Sequence, residues 1–516
     1  MPRYKDYSYD QGKFIPIFFK KQILPGTFEY TLNHLIDQEM DLSVFDQRFC
    51  NDETGAPAYD PAILLKIILY AYSRGIVSSR KIAQCCRENV IFMVLSAHTQ
   101  PHFTTIANFI GSMGEEAIHL FRDVLLICDE MKLIGGEMFA VDGCKLPSNA
   151  SKEWSGTKAD LSKKRRKMEG VIRQILQKHR EADRSQTDGE AQAREEQYVA
   201  TLRRRVKKLR AFLEVSQDKP GKSGKPLKSN ITDNESAKMK TSHGVIQGYD
   251  GVAMVDDKHQ VIVHAEAFGE AQEQELLAPM IQGTSENLKA IGKRDDVFEK
   301  AKLTADSGFH SEKNVRMLME QGIDAYVADH QFRKRDPRFQ DVDRYKERHR
   351  RERVARSGKS VLFLPKDFAM GADQRFCICP AGKRLYRNGG NVVIHGYRAI
   401  KFRGRKTDCR GCELRSRCLK HPDRTEARQV HFFVGRSASA PETFSQKMKR
   451  KIDTLKGRWI YGRRIATAEP VFANIRFNKG LNYFTLRGKR KVNAQWLLFC
   501  VVHNLGKIHQ VGLATG

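Results

Sequence analysis

The strongest constraint on this chain is the order in which its apolar spacing changes period between residues 138 and 328. EMFAVDGCK is an apolar run that ends on Asp142. GVIQGYDGVAMV and QVIVHAEAF flank DDKH, the pattern of two strands joined by a tight turn. EQELLAPMIQGTSENLKAI then takes helical spacing, AKLTAD is short and apolar, SEKNVRMLMEQG is helical again, and IDAYVA closes as a strand. The predicted order is three strands, helix, strand, helix, strand. A charged tract breaks the first connection. In it Met168, Val171, Ile172 and Ile175 recur at helical spacing, as do Val199, Leu202, Val206, Leu209 and Leu213. These stripes predict an antiparallel helical hairpin over about 158–215, joined through the polar EADRSQTDGEAQA and followed by a Gly/Pro/Ser/Lys linker at 216–230.

The chain has 516 residues, about three domains' worth, and its 40% apolar content is enough to build real cores. Its 90 basic and 61 acidic residues leave a net charge of +29, gathered in runs such as KKRRK at 163–167, RKRDPR at 333–338 and RGKRK at 487–491. Clustered positive charge on that scale is the footprint of a polyanionic partner, with nucleic acid the expected class. The longest apolar runs, such as WLLFCVV at 496–502, are far too short to span a bilayer, so no membrane partner is expected. FIPIFF near the start is short and is followed by KK where a cleavage site should stand, so no signal peptide is expected either. The expected location is the cytoplasm, in association with the nucleoid. The 11 cysteines then point to metal or catalytic chemistry and not to a disulfide framework.

Residues 30–134 have helical spacing. DPAILLKIILYAYSRG starts with Asp60 as N-cap and Pro61 at the first helical position, and it stops at Gly75. SSRKIAQCCREN and HFTTIANFIGSM are two further short helices, and together they suit a helix-turn-helix-like DNA-binding unit. Cys85, Cys86 and Cys500 fall in apolar helices and are expected to be core residues. The expected division is a helical DNA-binding domain at 1–134, the first part of a catalytic core at 135–330, an irregular, basic, cysteine-rich insertion at 331–430, and a helical completion of the core at 431–516.

Three antiparallel strands followed by helix, strand, helix, strand and a closing helix is the order of a ribonuclease H-like α/β fold with a mixed sheet. In that topology the first strand lies beside the fourth, so Asp142 and Asp306 meet at neighbouring strand ends. LTADSGFH places Asp306 before a Ser-Gly turn, outside the carboxyl end of its strand, where ligands tend to lie. A third carboxylate comes from TAEPVFANI, with Thr467 as expected N-cap, Pro470 in the first turn, and Glu469 on that turn facing in.

FAVDGCKLPSNASKEWSGT, SNITDNESAKMKTSHGVIQGYDGVAMVDDKHQVIVHAEA, TADSGFHSEKN and AEPVFANIRFNKGLNYFTLRG resemble the DDE transposases of bacterial insertion sequences, as does the helical segment before them. The resemblance runs from about residue 30 to 510. It implies that Asp142, Asp306 and Glu469 hold catalytic Mg²⁺, two ions for which Mn²⁺ can substitute. Two such ions about 3.5–4 Å apart can activate a nucleophile and stabilise a leaving oxyanion in one in-line displacement. Many such transposases carry a Tyr, an Arg, the Glu and a Lys at set spacing. Here Tyr461, Arg463 and Arg464 stand upstream of Glu469 at shifted spacing, and Arg476 takes the Lys place seven residues after it. These four are the expected DNA contacts. His310 is expected to be a hydrogen-bonded structural residue.

CICP supplies Cys377 and Cys379, and CRGCELRSRC supplies Cys409, Cys412 and Cys418. Cys-x₂-Cys with a further Cys nearby is a structural zinc signal. Five thiols compete for four positions. The layout in similar transposases points to Cys379, Cys409, Cys412 and Cys418, with Cys377 as the alternative. The sequence therefore predicts a DNA transposase, acting as a homodimer, that binds terminal inverted repeats in double-stranded DNA and catalyses metal-dependent cleavage and strand transfer. The alternatives are a nuclease on the same fold without strand transfer, and a non-catalytic DNA-binding protein derived from a transposase.

Overall fold

The computed structural model describes residues 18–48, 57–182, 189–221, 224, 226–241, 244–293, 296–336, 362–389, 392–394, 397–436 and 441–515. The chain forms two compact units, residues 1–328 with 454–516, and residues 329–453. Part of the predicted hairpin link (183–188) and the last two residues of the basic run at 333–338 lie outside the described residues.

The helices are α1 (Phe28–His34), α2 (Pro61–Ser73), α3 (Ser79–Glu88), α4 (Val90–Leu95), α5 (Phe103–Ser112), α6 (Glu115–Glu130), α7 (Lys158–Ala182), α8 (Gly189–Val215), α9 (Leu277–Ala290), α10 (Val297–Lys300), α11 (Glu312–Glu320), α12 (Lys406–Arg410), α13 (Arg415–Cys418), α14 (Phe444–Ile452), α15 (Leu455–Ala473) and α16 (Lys489–Thr515). The strands are β1 (Met138–Pro147), β2 (Ser155–Gly156), β3 (Ser229–Asn230), β4 (Ala237–Thr241), β5 (Gly244–Asp256), β6 (Ile262–Phe268), β7 (Lys302–Ala305), β8 (Asp324–Val327), β9 (Ala369–Met370), β10 (Phe376–Ile378), β11 (Arg384–Arg387), β12 (Val392–Ile394), β13 (Tyr397–Arg403) and β14 (Gln429–Arg436).

The first unit is built on a mixed sheet. Its path runs β4-β5-β1-β7-β8, with β6 also on β5. β1, β4 and β6 are antiparallel to β5, whereas β7 runs parallel to β1 and β8 to β7. β4, a short strand before the expected hairpin, is an addition to the predicted order. The outer strand β6 is covered by α16. There the Asn504 amide both donates to the Ile262 carbonyl and accepts from the Ile262 N–H, and Asn493 accepts from Ala267 N–H. Polar helix side chains thus satisfy a sheet edge that would otherwise be left open. The run WLLFCVV is the middle of α16 and is almost wholly buried, as expected of a helix apolar on every side. Tyr72 of α2 stacks on Phe499 of α16 at 4.2 Å, so the N-terminal helices share one core with the sheet. Asp60 and Pro61 start α2 as expected, with the Asp60 carboxylate accepting from Ala62 N–H, and Gly75 ends it at φ 74°. Cys86 and Cys500 are buried, whereas Cys85 is half-buried.

The hairpin α7–α8 leaves and rejoins the sheet through a two-residue neck, where Ser155 pairs with Asn230 and Gly156 with Ser229. Its seam buries Ile172, Val199, Leu202 and Val206, with Met168, Val171, Ile175 and Leu176 alongside. Arg210 and Glu169 pair across the two helices, as do Lys178 and Glu195.

The second unit corrects the expectation of an irregular tract at 331–430. It holds a six-stranded sheet, β12-β13-β11-β10-β9 with β14 on β13. It extends to Asp453, so β14 and α14 belong to it and not to a helical completion of the core. Its strands are mostly two to four residues long and interleaved with Arg and Lys, which leaves too little apolar alternation to register as strand. Phe368, Cys377, Leu385, Ile400, Phe402 and Val430 form its core.

Candidate active site

The parallel ladder between β1 and β7 pairs Val141 with Ala305. Asp142 and Asp306, each the next residue along the chain, therefore come side by side where β7 ends. Asp142 accepts from Gly143 N–H at 2.8 Å, and Asp306 leads into the short turn Ser307–Phe309. Above them lies α15. Its Arg464, with a side chain only 7% exposed, donates from Nη1 to Asp142 Oδ2 at 2.6 Å and places Nη2 3.9 Å from Asp306 Oδ1. Tyr461 donates to Asp306 Oδ1 at 3.4 Å. Burial pushes the Asp142 carboxyl above its ordinary pKa, and the Asp306 charge adds to this, while Arg464 and the Gly143 N–H oppose it. Two carboxylates that would repel each other are thus held by one guanidinium. The pair attracts a cation, and its hard oxygens are the donors a divalent metal takes.

The other expected residues are placed differently. Helix α15 begins at Leu455 with Thr454 as N-cap, so Thr467 caps nothing and Pro470 lies inside the helix. Glu469 is therefore far from the first turn and exposed, which corrects its expected inward orientation, and its side chain has no hydrogen-bond or ion-pair partner among the described residues. Proline lacks the N–H that would bind the carbonyl four residues back. Here Gln260 Nε2 donates to the released Ala466 carbonyl at 2.9 Å, and the helix continues. Arg463 pairs with Asp257 and lies over the Trp459 ring at 5.2 Å. Arg476 lies 5.9 Å from the centre of the exposed Phe477 ring.

In the second unit, Cys379, Cys409, Cys412 and Cys418 line one small cavity. Cys379 Sγ accepts from Lys383 N–H at 3.3 Å. The Cys418 thiol is pushed up by burial and, in part, by the other three thiols. Cys377 is instead sealed in the core of this unit, where burial raises its thiol to about 11. Among the described residues no three His, Cys, Asp or Glu side chains stand within metal-holding reach of one another as placed. The sequence reading also passed over Lys145, Asp250 and Glu273, which gather behind the Asp306 turn. A lone acid in the apolar run GVIQGYDGVAMV was the available signal.

Residues 378–509 match the family model of a transposase DDE domain, and residues 18–112 match a transposase domain designated DUF772. Together these matches support an insertion-sequence DDE transposase. The DDE-domain match contains Glu469 and the four cysteines of the cavity, while Asp142 and Asp306 precede it. No curated protein matches the transposase. Transposases with a DDE domain act on DNA and generally use a divalent metal. No described helix of the transposase is long and apolar enough to cross a membrane.

Proposed function

We propose that the transposase binds the terminal inverted repeats of its element, cleaves the DNA at their ends, and joins the freed 3′-hydroxyl to target DNA on a ribonuclease H-like core. The observation that carries this reading is the pairing of Val141 with Ala305, which sets Asp142 and Asp306 together beneath Arg464. The strand order and direction, with β1 between antiparallel β5 and parallel β7, support the ribonuclease H-like assignment.

Asp142 and Asp306 would hold Mg²⁺, and Glu469, exposed on the same α15 that carries Arg464, would have to turn toward them to supply the third carboxylate. When bound, the metal supplies Lewis-acid stabilisation of the leaving oxygen and acidifies the attacking water. The chain's own groups do the rest. Arg464 and Tyr461 orient the carboxylates before metal arrives, and Arg464 is positioned to pass from carboxylate to phosphate when it does, since a guanidinium binds both bidentately. Arg463 and Arg476, each beside an exposed aromatic ring, provide backbone contacts next to the scissile bond. The helix-turn-helix-like N-terminal helices and the basic runs supply most of the affinity, through phosphate neutralisation. An element has two ends and each chain one such site, so a homodimer is the working form, acting on nucleoid DNA in the cytoplasm. A zinc ion held by Cys379, Cys409, Cys412 and Cys418 would staple the second unit. The shared cavity and the N–H donated to Cys379 Sγ support that donor set.

The test is incubation with the element's own ends and Mg²⁺. Asp142→Ala, Asp306→Ala and Glu469→Ala should each abolish 3′-end cleavage while leaving end binding largely intact. A variant that cleaves at near wild-type rate removes its residue from the site. Wild-type protein that cleaves but never joins ends to target is a nuclease instead.

A further inference from the structure

Three charged side chains lie behind the turn that carries Asp306, and the cleavage reading uses none of them. Lys145 of β1 is the ladder partner of Asp250 of β5, so both point to the same face of the sheet. Lys145 is ion-paired with Glu273, in the turn that follows β6. Asp250 is wholly buried, and neither of its carboxyl oxygens has a hydrogen-bond partner among the described residues. Backbone and side chain meet very closely here. A Cβ on Gly308, two residues after Asp306, would fall 1.6 Å from Glu273 Oε2, and one on Gly143 would fall 2.9 Å from Asp250 Oδ1. Burial opposes the charge on Lys145, and Glu273, then Asp250, then Asp306 favour it. The half-buried Glu273 thus holds the ammonium that faces the buried Asp250, and the Ser307–Phe309 turn rests on Glu273.

We propose that Lys145 and Glu273 form a positioning pair for Asp306, in which Glu273 supports the turn behind it and Lys145 sets the net charge that an incoming divalent cation meets. This rests on Asp306 being a metal ligand. The two partners act with opposite sign. Without Lys145, the charge on Glu273 is uncompensated beside Asp306 and draws a cation in. Without the charge on Glu273, a bare ammonium stands near Asp306 and repels one. A pair that only holds the fold together would weaken metal binding whichever partner was lost.

The experiment is Mn²⁺ binding to the full-length, DNA-free protein, read by the loss of the free-ion electron paramagnetic resonance signal. Lys145→Met should tighten binding and Glu273→Gln should weaken it, each by about five- to tenfold for a unit charge at this range in a protein interior. The double variant should return close to wild type. Gly308→Ala, which attacks the same contact from the turn, should weaken binding as Glu273→Gln does. Shifts of the same sign in both single variants, or no shift in either while Asp306→Ala still abolishes binding, would overturn the pairing alone. Equal Mn²⁺ binding by wild type and Asp306→Ala would overturn the metal reading and this inference with it.

Discussion

Asp250→Asn should stabilise the protein, increasingly so as pH rises. Asp250 is buried in the middle of the sheet, and burial lifts its pKa from an ordinary 3.8 to about 7, with Glu273 adding to the rise and Lys145 opposing it. A raised carboxyl favours the fold in its protonated form. Its contribution is intact below the unfolded pKa near 4 and is lost as pH climbs through about 7. Three pKa units at 1.36 kcal/mol each make the full loss about 4 kcal/mol by pH 8. An amide of the same shape never ionises, so the variant escapes this loss. Part of it has already occurred at pH 5, so the stability gap between variant and wild type should widen by about 2.5 kcal/mol from pH 5 to pH 8. Urea unfolding in metal-free buffer, at steps across that range, measures the gap. Trp496 is a suitable reporter because its ring packs on Gly251, the next residue to Asp250. A gap that stays constant across the range would show that Asp250 titrates normally, and the reasoning would fail.

Gln260→Ala should cost about 1 kcal/mol by stranding the Ala466 carbonyl. In a Pro470→Ala background the restored N–H should take over that carbonyl, and additivity of the two changes would refute the account. Replacing residues 158–215 with a short Gly/Ser bridge across the β2–β3 neck should leave far-UV and near-UV dichroism of the core intact while weakening end binding and flattening its salt dependence, since fewer phosphates are neutralised; an unchanged salt slope would exclude the hairpin from the DNA contact. Purified protein never exposed to chelator should carry about one zinc per chain by elemental analysis, reduced by Cys412→Ser and unaffected by Cys377→Ser. Zinc lost equally in both variants would place the metal elsewhere.

The parts of this molecule that the sequence revealed are those where one period runs long enough to count. The stripes at Met168–Ile175 and Val199–Leu213 became a hairpin with the expected seam, and Asp60, Pro61 and Gly75 bounded a helix as cap chemistry requires. The meeting of Asp142 and Asp306 was legible because a parallel neighbour for β1 follows from the order of the elements. What escaped depends on partners far apart in the chain. Pro470 looks like the start of a helix until Gln260, more than two hundred residues earlier, supplies the missing donor. Asp250 is only a lone acid in an apolar strand until Lys145 and Glu273 stand beside it. The second sheet is assembled from strands too short to carry a period, and pairings such as that of β13 with β14 decide its form.

The neck at Ser155–Gly156 and Ser229–Asn230 also bears on how the chain closes its sheet. β1 and β4 flank β5 in that sheet, and everything between Pro147 and Ala237 must be gathered before they can do so. Because α7 and α8 meet each other through local contacts, the hairpin can form first and bring its two ends together. The loop left to close then consists only of the arms 148–156 and 229–236. A roughly fivefold shorter loop lowers the chain entropy lost on pairing by about 1.4 kcal/mol. An insertion that looks like a burden on the sheet therefore acts as a clasp for it, and lengthening the hairpin by whole helical turns should leave the closure cost almost unchanged.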